Sequence, residues 1–94
     1  MAQVRILYWQ EIPSMVEARE GAEIAKAQLG DRFQKLIDAM AMRRGIAGTD
    51  GYLDEWHYGD PEARTGSPAA VLEAVVEEIE SRFAAIKAQA LEKG

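Results

Sequence analysis

The 94 residues are 48% hydrophobic and 29% charged, a balance that fits one folded domain over residues 1–94 and is too apolar for a disordered chain. With no Cys there is no disulfide framework, thiolate nucleophile or Cys-ligated metal, and one His, His57, cannot make a His-rich metal site. The net charge of -5 is uneven, +1 over residues 1–49 and -6 over residues 50–94, which argues against a broad nucleic-acid surface because phosphate binding draws on clustered Lys and Arg.

Val4 to Trp9, VRILYW, is short, β-branched and aromatic, and apolar at both alternating sets of positions, so it reads as a central strand. Pro13 marks a connection over Gln10 to Ser14, and Met15 to Arg19 reads as the return strand of a hairpin. Gly21 to Leu29 reads as a short helix with Ile24, Ala25 and Leu29 on one side, interrupted by Gly30. Asp31 then starts a longer helix, with Gln34 at capping-box spacing. Phe33, Leu36, Ile37, Met40 and Ala41 recur at helical spacing as its buried stripe, and Arg43, Arg44 and Gly45 close it.

Thr49-Asp50-Gly51 is a turn signal, and Tyr52 to Tyr58, YLDEWHY, reads as a third strand whose alternation is not cleanly apolar on either side. Residues 59–67 read as an exposed loop. Ser67-Pro68 pairs an N-cap side chain with a first-turn proline and starts a final helix. That helix buries Leu72, Val75, Val76, Ile79, Phe83 and Ile86, places Glu78 four residues from Arg82, and has a tail at 88–94 expected to fray. The sum is an α+β two-layer sandwich: a three-stranded, mainly antiparallel sheet in the order 2-1-3 with about three helices on one face.

Such a sheet carries more aromatic surface than three helices can cover. Trp9, Tyr52, Trp56 and Tyr58 are therefore candidate partner-binding residues, and a larger protein or a second copy is the expected partner. Arg32, Arg43, Arg44 and Thr49 are candidates for holding a phosphate or carboxylate, since guanidinium groups pair with such anions in a fork geometry. The alternative for Arg32 is an ion pair with Asp38 or a strand carboxylate. Glu55 and His57 are adjacent on one strand side and could hold a proton near neutral pH, but no nucleophile or metal constellation accompanies them. The pattern points to a non-catalytic module with no cofactor and no metal; the alternative is a small anion-binding protein or enzyme built on the Arg43/Arg44 and Glu55/His57 region. No apolar run reaches the roughly 20 residues that span a bilayer, and no secretory leader pattern opens the chain, which gives a cytoplasmic expectation.

Three stretches, YWQEIP, GAEIAKAQLGDRFQKLIDAMAMRRG and TDGYLDEW, together resemble the bacterial family known as virulence factor, and also the C-terminal part of the conserved virulence factor C proteins. The resemblance runs from about Val4 to Tyr58 and rests on the joint spacing of Tyr8-Trp9, Arg32-Phe33, Ala41-Met42-Arg43, Thr49-Asp50 and Trp56. The final helix is similar in character only. The resemblance implies an accessory protein associated with folate- and corrinoid-dependent methyl transfer. One departure is Glu20, where a basic residue is expected before the glycine.

Overall fold

The computed structural model describes all residues from Met1 to Gly94. Strands β1 (Ala2–Trp9) and β2 (Ile12–Glu20) form the expected antiparallel hairpin. The last pair, Trp9 with Ile12, leaves Gln10 and Glu11 as a two-residue turn. Gln10 adopts a positive φ of 52°, unusual without glycine, and is pinned there by a 3.1 Å bond from its N–H to the Glu55 carbonyl. Register shifts after Leu7 opposite Met15, so that Tyr8 faces Pro13 and Ser14 is bulged. A proline, which has no N–H to give the ladder, is tolerated at such a bulge.

Residues Glu23–Gln28 form strand β3, antiparallel to β2, and not the expected helix. Gly21, at φ 60°, turns the chain back, and six residues are too few for a helix to stand against strand pairing. The period is two: Ile24, Lys26 and Gln28 are exposed while Ala25 and Ala27 are half-buried.

Helix α1 (Asp31–Arg43) buries Phe33, Leu36, Ile37, Met40 and Ala41 as its spacing predicts. Its N-cap is Gly30, whose N–H donates to Glu80 Oε2 at 2.5 Å, so Asp31 lies in the first turn and Gln34 donates onward to Asp38 at 3.0 Å. The capping box is therefore not formed.

The expected third strand splits. Asp50–Asp54 is the one-turn helix α2, and only Trp56–Tyr58 is extended, as β4. Tyr52 and Trp56 are four apart and pack edge to face at 6.2 Å, a helical spacing that the broken alternation of YLDEWHY conceals. Within the expected loop, Glu62–Arg64 forms β5 on the outer edge of β1. That edge offers Gln3 and its neighbours unpaired backbone groups, and three residues suffice to satisfy them.

The final helix is two. Helix α3 (Pro68–Glu80) starts on Ser67, whose hydroxyl accepts from Ala70 N–H at 3.3 Å. The helix is interrupted at Ser81 and Arg82, where Ser81 Oγ donates back to the Glu78 carbonyl at 2.7 Å, and α4 (Phe83–Lys93) follows. The break lets Phe83 meet Phe33 edge-on at 5.0 Å, tying α4 to α1. The tail is helical to Lys93, with Ala90 buried.

The result is an α+β fold with an antiparallel sheet of five strands, not three, in the order β3-β2-β1-β4, with β5 also on β1. The interior position of β1 is as expected. Val4 pairs with Ala18 and Ile6 with Val16, giving an apolar face that packs into the same core as Val71 and Val75 of α3.

Candidate functional site

The opposite face of the sheet carries a different chemistry. Its first row is Tyr58, Leu7, Met15 and Gln28, aligned across β4, β1, β2 and β3. The next is Arg5, Glu17 and Lys26. Tyr58 is 41% exposed, while Leu7 and Met15 are half-covered by their neighbours. Arg5 lies with its guanidinium carbon 3.8 Å from the centre of the Tyr58 ring and donates from Nε to Glu17.

Glu17 is the one buried charged residue, 3% exposed. It is covered by the side chains of Arg5 and Lys26, with Lys26 Nζ 3.7 Å from its carboxylate. The hydrogen bond from Arg5 holds the Glu17 carboxyl below the usual carboxylate range, outweighing the opposing effect of burial. The same bond holds the Arg5 guanidinium in place over Tyr58. An ordered cation on an aromatic ring, beside two apolar side chains, is a surface suited to recognition.

Of the four aromatic candidates, Trp9 is enclosed. It is wholly buried, its Nε1 donates to the Tyr52 carbonyl at 2.9 Å, and its rings lie 5.6 Å from Tyr52. Trp9, Tyr52 and Trp56 form a chain of tilted and edge-to-face ring contacts that runs from the core outward, with only half of Tyr52 and Trp56 reaching the surface. Trp9 is thus a core residue, because the Tyr52 turn of α2 closes over the indole that a continuous strand would have left open.

The arginines do not converge. Arg32 and Arg44 are twelve residues apart on and beyond one helix, about 18 Å at 1.5 Å per residue. Arg32 is held by Glu80, at 3.0 Å to the carboxylate and 2.6 Å to the carbonyl, and not by Asp38 or a strand. Arg44 forks onto Glu11 at 2.8 and 2.9 Å, donates to Gln10, and reaches the Ala90 carbonyl at 3.2 Å, joining the hairpin turn to α1 and α4. Thr49 Oγ1 donates to the Ile46 carbonyl at 2.6 Å, and Arg43 is exposed at the end of α1. Glu55 and His57 are not a charge pair: His57 Nδ1 approaches the Glu55 backbone carbonyl at 3.2 Å, and the imidazole stacks on Tyr8. No group of three or more His, Cys, Asp or Glu side chains is placed to hold a metal ion.

Sequence reasoning passed over Arg5 and Glu17. The signal was available in the hairpin, since two strands joined by a short turn set opposite charges facing each other.

The family model described as Virulence factor matches residues 7–91, almost the whole chain. The chain belongs to the Virulence factor family. The match takes in the open-face residues Leu7, Met15, Glu17, Lys26 and Tyr58, and it extends through α3 and α4, where the sequence resemblance was one of character only. No curated protein and no solved structure matches this chain. No helix is long and apolar enough to cross a membrane.

Proposed function

We propose that this Virulence factor family chain is a non-catalytic interaction module that docks onto a larger protein through its open sheet face. The observation that carries this reading is the row Tyr58, Leu7 and Met15, set beside an Arg5 already oriented on the Tyr58 ring by Glu17. Tyrosine and arginine, with tryptophan, are the side chains enriched among those that dominate binding energy, and a guanidinium fixed before contact loses little freedom on binding. Trp56 shares the side of β4 with Tyr58 and widens the patch, whereas Trp9 supports it from within. The resemblance to proteins associated with folate- and corrinoid-dependent methyl transfer makes an enzyme of that chemistry the first partner to test.

The test is a paired affinity purification from the native host with the tagged wild type and a Tyr58→Ser variant, after both are shown by thermal unfolding to be folded. The wild type is expected to recover a stoichiometric partner, and Tyr58→Ser to reduce that recovery at least about tenfold, the loss expected of a residue that dominates an interface. Equal recovery by both forms would defeat the reading. Sedimentation of the purified chain as a concentration-dependent dimer that Tyr58→Ser dissociates would assign the face to a second copy.

A further inference from the structure

We propose a second site, on the other side of the sheet: the hollow between the β1–β2 hairpin and the α3–α4 arm binds a small organic anion, a carboxylate on an aromatic or branched aliphatic body. The hollow measures about 450 Å³, within the range of small-molecule sites. Ile6 and Pro13 line it from the sheet, and Val75, Ile79 and Ile86 from the helices. An apolar body is the complement of those walls.

The charge of the ligand follows from the polar groups at the rim. Glu78 is taken up by Arg64 at 2.8 Å, and Glu11 by Arg44 at 2.8 Å. Arg82, which also lines the hollow and caps the start of α4, forms no ion pair, Glu78 being held by Arg64 instead. It acts on Glu78 only through its field. The hollow thus contains one guanidinium free to take an incoming carboxylate, with its own acids already engaged.

Tyr8 supplies the second polar group. Its ring is held in position by His57, stacked at 5.8 Å and 22°, and by Gly59, where an added Cβ would lie 2.9 Å from Tyr8 Cε2. The Tyr8 side chain is half-buried along the hollow, and its hydroxyl, bonded to no other group of the chain, is open to an incoming molecule. A phenol positioned in this way, with an unpaired guanidinium across an apolar gap, selects for an amphipathic anion over a neutral molecule of the same shape.

The probes are 4-phenylbutyrate and its neutral amide, titrated into the full chain and followed by ¹H–¹⁵N NMR. Saturable shifts are expected at Ile6, Tyr8, Ile79 and Ile86, with the carboxylate binding about tenfold more tightly than the amide, the factor one charge-assisted hydrogen bond supplies. Arg82→Gln should erase that tenfold difference and leave amide binding unchanged. Ala85→Trp, an exposed rim position, should block both ligands without disturbing the fold, and Tyr58→Ser should affect neither, which separates this site from the docking face. The proposal is overturned if the shifts map elsewhere, if Arg82→Gln leaves the carboxylate's affinity intact, or if the same residues shift with protein concentration alone, which would give the hollow to a second copy.

Discussion

Strand β1 belongs to the N-terminal hairpin and is covered on its other edge by segment 45–66, yet the two regions are built in opposite ways. The hairpin is seventeen residues of strand around a two-residue turn, with Trp9, Ile12, Val16 and Ala18 fully buried. Segment 45–66 contains no buried residue: its one-turn helix and two three-residue strands form only where β1 offers an edge or Trp9 offers a ring. The hairpin is self-specified by burial and pairing, whereas the segment takes its shape from the surface it covers. The proposed docking residue Tyr58 lies in the segment, among residues none of which is fully buried.

The largest break in this comparison comes from the two tryptophans, which are partners across β1 and β4. Trp9→Ala should cost about 3–5 kcal/mol, the range for deleting a fully buried large aromatic side chain, and for a domain of this size it should leave little folded protein at moderate urea. Trp56→Ala removes a half-buried ring and should cost about 1–2 kcal/mol. Urea unfolding followed by circular dichroism measures both. Equal losses would mean that segment 45–66 is as much a part of the core as the hairpin.

The same contrast explains which parts of the molecule were legible. VRILYW and the stripe Phe33, Leu36, Ile37, Met40 and Ala41 announce themselves because their burial follows from their own periodicity. YLDEWHY does not, since Tyr52 and Trp56 are placed by Trp9, a residue more than forty positions away. Strand β3 is hidden in the sequence because a stretch with two alanines and one Ile suits a helix locally, and only pairing with β2 decides for a strand. At the candidate site, Tyr58 was legible as an aromatic at a strand position. Arg5, which is held on it by Glu17, requires the hairpin register, and the hollow requires the α3–α4 break, which a continuous apolar stripe from Leu72 to Ile86 hides.

A smaller effect sharpens how tightly the segment is joined to β1. Gly59 donates its N–H to the Ile6 carbonyl at 2.9 Å, directly beside the Tyr8 ring. Gly59→Ala would place a methyl 2.9 Å from Tyr8 Cε2, so the ring or the strand must move. The expected loss is about 1–2 kcal/mol, typical of overpacking by one carbon, together with a changed Tyr8 resonance pattern in NMR spectra. An unchanged Tm with an unchanged Tyr8 environment would show that the segment shifts freely and that β1 does not fix its position.

The mildest test is acid. Glu11 and Glu17 in the hairpin, and Glu78 against Arg64 of the segment, are each held below the ordinary glutamate value, first by a hydrogen bond from their arginine. A carboxyl whose pKa is lower in the folded state than in the unfolded chain stabilises the fold fully above its unfolded value, about 4.3, and loses that contribution as pH falls through the folded one. Stability should therefore be flat from about pH 7 down to about pH 5 with respect to these groups and decline below that. The two regions should differ in their share. Glu17 is nearly enclosed and Glu11 is clamped by a fork that spans three elements, while Glu78 is exposed to water and salt, where ion pairs are screened. Arg44→Met should flatten the acid limb of a urea-midpoint profile more than Arg64→Met does, and added salt should shrink the Arg64 effect first. A larger flattening from Arg64→Met would mean that the segment, not the hairpin, carries the acid sensitivity of the fold.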